Sequence, residues 1–208
     1  MTKISATEFV NTWKEFINDR LIDTNWTTFW KSNTNWSDFI LGGKSSSQEN
    51  SPIGRFFKER YANLGFRTED GSIDLSFFDQ TSSFEFKTLD KDWELINLPK
   101  EGYPSHYVAL IEHENDIYST FHEIAKLTYY RAQLKVLVTY HSKDNLESAK
   151  RSNELKMLTD SFEQVLKKSA LSFPENRDVE YLLIVGGLIN GELKWTFQIF
   201  DHSGQTKN

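Results

Sequence analysis

The 208-residue sequence contains no cysteine, which excludes disulfide bonds, thiolate metal ligands and cysteine nucleophiles. It also lacks any apolar run near the roughly 20 residues that a membrane-spanning helix needs. The first residues, MTKISATEFVNTWKEF, have no apolar core of the kind a secretory signal carries. We therefore expect a cytoplasmic protein with no membrane partner, and a core large enough to fold without covalent links.

Positive charge is in deficit, because 24 Lys and Arg residues face 30 Asp and Glu residues, for a net charge of -6. Proteins that bind nucleic acid without sequence preference are more often basic, so this balance argues against such a binder without excluding it. A local basic group, formed by Lys143, Lys150, Arg151 and Lys156, can still face phosphate.

Residues 1–50 are predicted to form a helical, aromatic-rich extension. Ser5 and Glu8 make a capping box for a helix over residues 6–22. Three of the six tryptophans then fall within residues 26–36. Packing in the core of a helical lobe is the usual role of such residues, and stacking on nucleic-acid bases is the alternative.

The stretch 107–140 reads YVALIEHENDIYSTFHEIAKLTYYRAQLKVLVTY and has the pattern of strand, helix, strand. Such a unit makes a crossover between parallel strands, and ligand sites lie near the carboxyl ends of those strands. Because alternate residues of a strand share a face, Glu112 and Glu114 point the same way and His113 points away. Two neighbouring carboxylates need a cation, a basic side chain or water, and two exposed surface glutamates are the alternative.

The remaining elements are predicted from periodicity, caps and turn residues. They are a helix that opens at Pro52 and ends at Gly65, a strand over 73–78 carrying Asp74, a returning strand over 84–88, a loop over 90–105 with room for a short strand, a helix capped by Asp144 and Glu147, a hairpin around Asn190-Gly191, and a frayed tail over 203–208.

This order of elements, with Asp74 on one strand and Glu112-x-Glu114 on another, resembles the core of the PD-(D/E)xK nuclease superfamily, the restriction-endonuclease-like fold. The block ALIEHEN, followed by HEIAKL and LKVLVTY, is similar to a subset that carries a Glu-His-Glu-Asn string. The resemblance covers roughly residues 52–142. It implies an α/β fold with a mixed central sheet flanked by helices, in which a nuclease core over 51–208 ends in a helix and a β-hairpin.

The resemblance also implies a metal site. In that superfamily the aspartate and the first acidic residue of the strand motif bind magnesium, so Asp74 and Glu112 become metal ligands, with Mn²⁺ as a substitute for Mg²⁺. Glu114 then stands where the family usually has lysine, although some type II restriction enzymes also carry Glu-x-Glu. Lys126, on the following helix, is the candidate for the missing positive charge, and Glu69 is the candidate for a further ligand.

Alternatives stay open for Glu69, for Lys126 and for the choice of the acidic motif. Glu69 can be an ordinary loop residue, and Lys126 can be a helix-surface lysine that pairs with a neighbouring side chain. A competing literal motif pairs Asp74 with Glu85-Phe86-Lys87, but a Trp- and Pro-containing loop follows it where the family has a crossover helix.

The expected function is a magnesium-dependent endonuclease that hydrolyses phosphodiester bonds in DNA, of restriction-modification or phage-defence type. Cutting both strands requires two sites, which favours a homodimer. A second hypothesis is the same fold with a degenerate site, acting as a nucleic-acid-binding or protein-interaction subunit. A third is a small effector or immunity-type binding protein.

Overall fold

A computed structural model describes residues 3–18, 26–30, 36–37, 39–40, 52–70, 73–79, 87–89, 95–97, 106–173 and 177–207. For 52–55, 68–70, 87–89 and 95–97 only the backbone is described. The chain is a mixed α/β fold in which helices flank a seven-stranded sheet. Among the described residues, no helix combines the length and apolar character needed to cross a membrane.

The helices are α1 (Ala6–Phe16), α2 (Trp26–Trp30), α3 (Pro52–Arg60), α4 (Thr120–Thr128) and α5 (Ser148–Ser172). The strands are β1 (Gly65–Asp70), β2 (Ile73–Phe78), β3 (Lys87–Leu89), β4 (Leu95–Asn97), β5 (Tyr107–Glu114), β6 (Ala132–Tyr140), β7 (Glu180–Ile189), β8 (Glu192–Phe200) and β9 (Thr206–Lys207). The large sheet has the order β1-β2-β5-β6-β7-β8-β9, and β3 pairs with β4 in a separate small sheet.

The predicted strand, helix, strand unit is confirmed. Strand β5 runs parallel to β6, with α4 between them in the chain, and β6 runs parallel to β7, with α5 between them. The other neighbours in the large sheet are antiparallel. The ends of β5, β6 and β7 therefore meet along one side of the sheet, which we name the carboxyl edge.

The two faces of the sheet are covered by different helices. On the first, which we name the aromatic face, Phe9 and Trp13 of α1 and Phe57 of α3 pack with Val136 and Ile184. The second, which we name the helix-pair face, is covered by α4 and α5; its core contains Ile124, Leu127, Leu158, Phe162, Leu137 and Leu183. Alternate residues of each strand thus enter two separate cores.

Helix α1 begins as predicted, because the Ser5 hydroxyl accepts a hydrogen bond from the Glu8 N–H at 3.1 Å. Its described α-helical part is Ala6–Phe16, and residues 19–22 of the predicted range lie outside the described residues. The ring of Trp13 lies 5.2 Å from that of Trp195 on β8, so α1 shares a core with the sheet.

Two of the aromatic residues that follow α1 are buried in the core, whereas Phe29 of α2 is 37% exposed. Trp36 and Phe39 are each 3% exposed, and the Trp36 ring packs edge-on against Tyr140 of β6. The core-packing interpretation is confirmed for these two residues, since rings this buried have no face left for a base.

The sequence misplaced several boundaries. Helix α3 ends at Arg60, and Gly65 opens β1, a strand that the pattern did not predict. This additional strand, β1, precedes and pairs with β2, which carries Asp74. On its other side β2 pairs with β5. The returning strand is found only as β3, whose partner β4 lies in the predicted loop; residues 84–86 lie outside the described residues.

The C-terminal hairpin is confirmed, with Asn190 and Gly191 at φ values of 54° and 80° in the turn between β7 and β8. The predicted cap of α5 is only partly correct. Glu147 is the N-cap residue but makes no capping bond, and Asp144 instead accepts a hydrogen bond from the Trp30 indole at 3.0 Å. The tail is not frayed throughout, since β9 pairs with β8.

Candidate functional site

The structure brings two of the predicted ligands together at the end of β5. The antiparallel register that pairs Leu75 with Ile111 places Asp74 opposite Glu112, so both side chains leave the sheet on the helix-pair face. The His113 N–H donates a hydrogen bond of 2.8 Å to Asp74 Oδ2, which fixes the Asp74 carboxylate against β5. The expected meeting of acidic residues from neighbouring strands is therefore present for this pair.

Glu112 is the most deeply buried acid of the site, with 1% of its surface exposed. Burial raises the pKa of Glu112 to about 9; contact with Lys126 opposes this shift, and the charge of Asp74 adds to it. Among the described residues, Glu112 Oε1 has no hydrogen-bond partner. One carboxylate oxygen is thus buried and unsatisfied, which is costly in an ordinary core.

Lys126 reaches back from α4 to the end of the strand. Its Nζ lies 2.9 Å from Glu112 Oε2 and also contacts Glu123 Oε2 one turn earlier on the helix. Its side chain therefore points back to the strand end and also pairs with a helix neighbour, while its role as the missing positive charge stays a prediction. Although burial lowers the pKa of Lys126, its bonds to the two carboxylates hold that pKa above the ordinary value.

Glu114 lies on the same face as Glu112, one alternate position further along β5. It is half-buried, and its Oε1 accepts a hydrogen bond of 2.8 Å from the Asp116 N–H in the turn that leaves the strand. Its carboxylate is therefore held at the carboxyl edge.

Glu69 lies on β1, in the position between the registered pairs Thr68 with Leu75 and Asp70 with Ile73, so its backbone faces Asp74. Its side chain lies outside the described part of the chain. In the competing motif, Glu85 lies outside the described residues, and Lys87 opens β3 of the small sheet with only its backbone described. Both therefore stay predictions.

His113 points to the aromatic face, as the strand pattern predicted. Its ring lies 2.9 Å (Nε2) from the Tyr140 hydroxyl and 3.4 Å (Nδ1) from the Ser37 hydroxyl. Burial lowers the pKa of His113 to about 3, so the ring is neutral. The Asn115 amide donates a hydrogen bond of 2.9 Å to the same Ser37 hydroxyl.

The donor set fits a hard divalent cation in kind. Asp74 and Glu112 offer carboxylate oxygens, and Mg²⁺ is commonly held by one or two carboxylates with water completing its shell. Within the described ranges, no three His, Asp or Glu side chains converge as a metal site. The buried, unsatisfied Glu112 Oε1 is the feature of this chain that a cation would complete.

Sequence reasoning missed Thr139. This residue is fully buried on β6, pairs in register with Glu114, and its hydroxyl has no hydrogen-bond partner among the described residues. The only available signal was a hydroxyl inside the otherwise apolar strand LKVLVTY, which is also a common feature of ordinary strands.

No family model matches the chain, and no curated protein matches it significantly. Among solved structures, it is similar to a crystal structure of the central domain of yeast acetyl-CoA carboxylase, with 8% sequence identity and a TM-score of 0.40. The match covers 82% of this chain and 27% of that chain, so this chain spans about a quarter of its length. A similarity at this level carries no argument about activity.

Proposed function

We propose that the protein is a magnesium-dependent endonuclease of the PD-(D/E)xK, restriction-endonuclease-like type that hydrolyses phosphodiester bonds in DNA. The observation that supports this most is the buried Glu112 carboxyl beside Asp74, with one oxygen on Lys126 and the other without a partner among the described residues. Perturbed, incompletely satisfied acids at a sheet edge are typical of functional sites.

The proposed roles follow from the contacts of each side chain. Asp74, fixed by the His113 N–H, and Glu112 hold Mg²⁺. When bound, that ion supplies Lewis acidity, which acidifies a water ligand and stabilises negative charge at the phosphate. Glu114, held at the carboxyl edge, orients the attacking water, and Lys126 supplies positive charge close to the scissile phosphate.

The element order also supports the proposal. Helix α3, the antiparallel strands β1, β2 and β5, helix α4 and the parallel strand β6 follow one another around the acidic pair. The proposal extends to a restriction-modification or phage-defence role and to a homodimer, since a two-fold axis places one site on each DNA strand.

A plasmid-nicking assay with Mg²⁺ tests the proposal. We expect Glu112→Gln to reduce the nicking rate by about 10³-fold, because it removes a metal-binding charge with little change of shape. Glu180→Gln is the matched control, since Glu180 is a partly buried glutamate on the aromatic face. Nicking by Glu112→Gln at the wild-type rate would contradict the proposed site.

A degenerate, non-catalytic protein of the same fold is the second candidate. It is favoured by Lys126, whose ammonium group already pairs with Glu112 and Glu123 where a cation would otherwise be needed. In that case wild-type protein binds no Mn²⁺ by calorimetry and cleaves no plasmid, and its function is to bind nucleic acid or another protein.

A further inference from the structure

A second polar cluster lies at the carboxyl edge, where β6 ends. The His141 Nδ1 lies 2.9 Å from Glu154 Oε2 on α5, and the two side chains are only 8% and 12% exposed. Glu154 also accepts hydrogen bonds from the Ser142 N–H and the Ser142 hydroxyl. A helix carboxylate therefore holds this imidazole in a fixed orientation.

The chemistry of this pair fixes the tautomer of the ring. A carboxylate can only accept hydrogen bonds, so the proton of neutral His141 lies on Nδ1 and Nε2 presents a lone pair. No described residue bonds Nε2. If His141 served only to link the end of β6 to α5, its Nδ1 bond to Glu154 would be sufficient. Such a structural role does not use Nε2.

The sheet provides a place for the ring. A Cβ atom at position 187 of β7 would lie 2.8 Å from His141 Cδ2. Any residue larger than glycine at this position would therefore displace the imidazole. On β8, Lys194 pairs in register with Gly187 and is itself bonded to Glu192. Glu154 on the helix is the charged group in contact with the ring, and the sheet places Lys194 opposite Gly187 and Glu114 opposite Thr139.

His141 shares a face with the proposed hydrolytic site. Thr139, the register partner of Glu114, lies two residues before His141, and alternate residues of β6 point to the helix-pair face. From strand spacings, the Cα atoms of Glu114 and His141 are about 8 Å apart, which is close enough for both side chains to contact one water. Thr139, whose hydroxyl has no partner among the described residues, lies between them in the sheet.

We propose that His141 is a further catalytic residue, the general base of the reaction, and that Glu154 is its positioning residue; this rests on the proposed function. The water oxygen forms the new bond to phosphorus while one water proton passes to His141 Nε2. The bond from phosphorus to the departing nucleoside oxygen breaks with its electron pair, and that oxygen takes a proton from solvent. The imidazolium then returns its proton to solvent.

The test compares wild type with His141→Gln, Glu154→Gln and the control His202→Gln in Mg²⁺-dependent nicking across pH. General-base catalysis is typically worth about 10²–10⁴-fold, so we expect a loss in that range for His141→Gln, together with a shallower fall in rate at acid pH than in wild type. Glu154→Gln should lose less, because its amide oxygen still accepts from Nδ1. His202→Gln should match wild type, and added imidazole should partly restore His141→Gln.

A second measurement does not depend on activity. In a long-range ¹H–¹⁵N spectrum, His141 should show its proton on Nδ1 in wild type, and the opposite tautomer would overturn the inference. Wild-type-like rate and pH dependence for His141→Gln would also overturn it while leaving the nuclease proposal intact. An inactive wild type that binds no Mn²⁺ would overturn the nuclease proposal and the inference together.

Discussion

Glu112 and Glu180 are the same side chain on opposite faces of one sheet, and their surroundings differ in a way that separates a candidate site from a structural contact. Glu180 accepts a hydrogen bond of 2.8 Å from the Ala6 N–H at the start of α1, and its other oxygen lies 2.9 Å from Lys207 Nζ. Although burial raises it, these partners hold the pKa of Glu180 below its ordinary value. Glu112 has one lysine, an acidic neighbour and a raised pKa.

The comparison teaches that burial of an acid is not informative by itself. What distinguishes the two is the number of donors that each carboxylate receives: both oxygens of Glu180 are satisfied, whereas Glu112 Oε1 is not satisfied by any described residue. His113 makes the same point for a base, because its ring is partly buried and both of its nitrogens lie near hydroxyl groups. Incomplete compensation, more than charge, marks the candidate site.

The largest expected effect concerns the helix that partners Glu180. Trp13 is 3% exposed and holds α1 against Phe57 and Trp195, so Trp13→Ala should lower the free energy of unfolding by about 3–5 kcal/mol. Urea denaturation measures this. Phe121→Ala, at a residue 48% exposed, is the control and should change stability by less than about 0.5 kcal/mol. If Trp13→Ala lowers stability as little as Phe121→Ala does, α1 is not part of the shared core.

The next largest expected effect is an increase in stability, for Glu112→Gln. The pKa of Glu112 is about 9 in the folded chain against an ordinary value of 4.5, so the folded state binds more protons between these values. The stability that Glu112 contributes is complete below about pH 4.5 and is lost as pH rises toward 9. In EDTA, Glu112→Gln should therefore be more stable than wild type by about 1–3 kcal/mol at pH 7, since one pKa unit is worth about 1.4 kcal/mol.

Urea denaturation across pH measures this difference, which should widen from about pH 5 to pH 8.5. Mg²⁺ should narrow it, because a cation bound to wild type stabilises the charged carboxylate. A difference that stays constant with pH would mean that Glu112 is ionised in the fold without help from metal.

Glu180→Gln should destabilise the protein by about 1–2 kcal/mol at neutral pH, since it weakens a charge-assisted hydrogen bond and an ion pair. A lowered folded-state pKa contributes stability above the ordinary value that is lost as pH falls through the folded value. The difference from wild type should therefore shrink on acidification, as it does for Glu112→Gln, but Glu180→Gln is the less stable protein at neutral pH whereas Glu112→Gln is the more stable one. Thermal unfolding at several pH values tests this, and a difference that grows at acid pH would contradict it.

The sequence was most informative where periodicity and turn chemistry act locally. The strand, helix, strand unit, the Ser5 cap and the Asn190-Gly191 hairpin all depend on residues near one another in the chain. Strand β1 was missed because GFRTED carries little apolar alternation, and as the end strand of the sheet it needs less.

The site was predictable only in part, because its geometry depends on contacts between residues that are far apart in the chain. Glu112 and Asp74 could be expected on neighbouring strands from the resemblance, but their register depends on long-range pairing between β2 and β5. Neither the double pairing of Lys126 nor the His141–Glu154 contact follows from spacing, because each depends on how a helix lies over the sheet. Burial of Glu112 is likewise a tertiary property.

The smallest expected effect tests whether the Thr139 hydroxyl is unsatisfied, like Glu112 Oε1, or hydrogen-bonded, like both carboxylate oxygens of Glu180. Thr139 Oγ1 is buried and has no partner among the described residues, so Thr139→Val, which keeps the shape and removes the unsatisfied group, should raise stability by up to about 1 kcal/mol. Thr12→Val is the control, because the Thr12 hydroxyl lies 3.1 Å from the Glu8 carbonyl and 3.0 Å from the Tyr61 hydroxyl. It should lower stability by about 1 kcal/mol. Urea denaturation measures both changes. If Thr139→Val lowers stability as much as Thr12→Val does, the Thr139 hydroxyl is hydrogen-bonded in solution. The polar groups of the helix-pair face are then as well satisfied at Thr139 as those of the aromatic face.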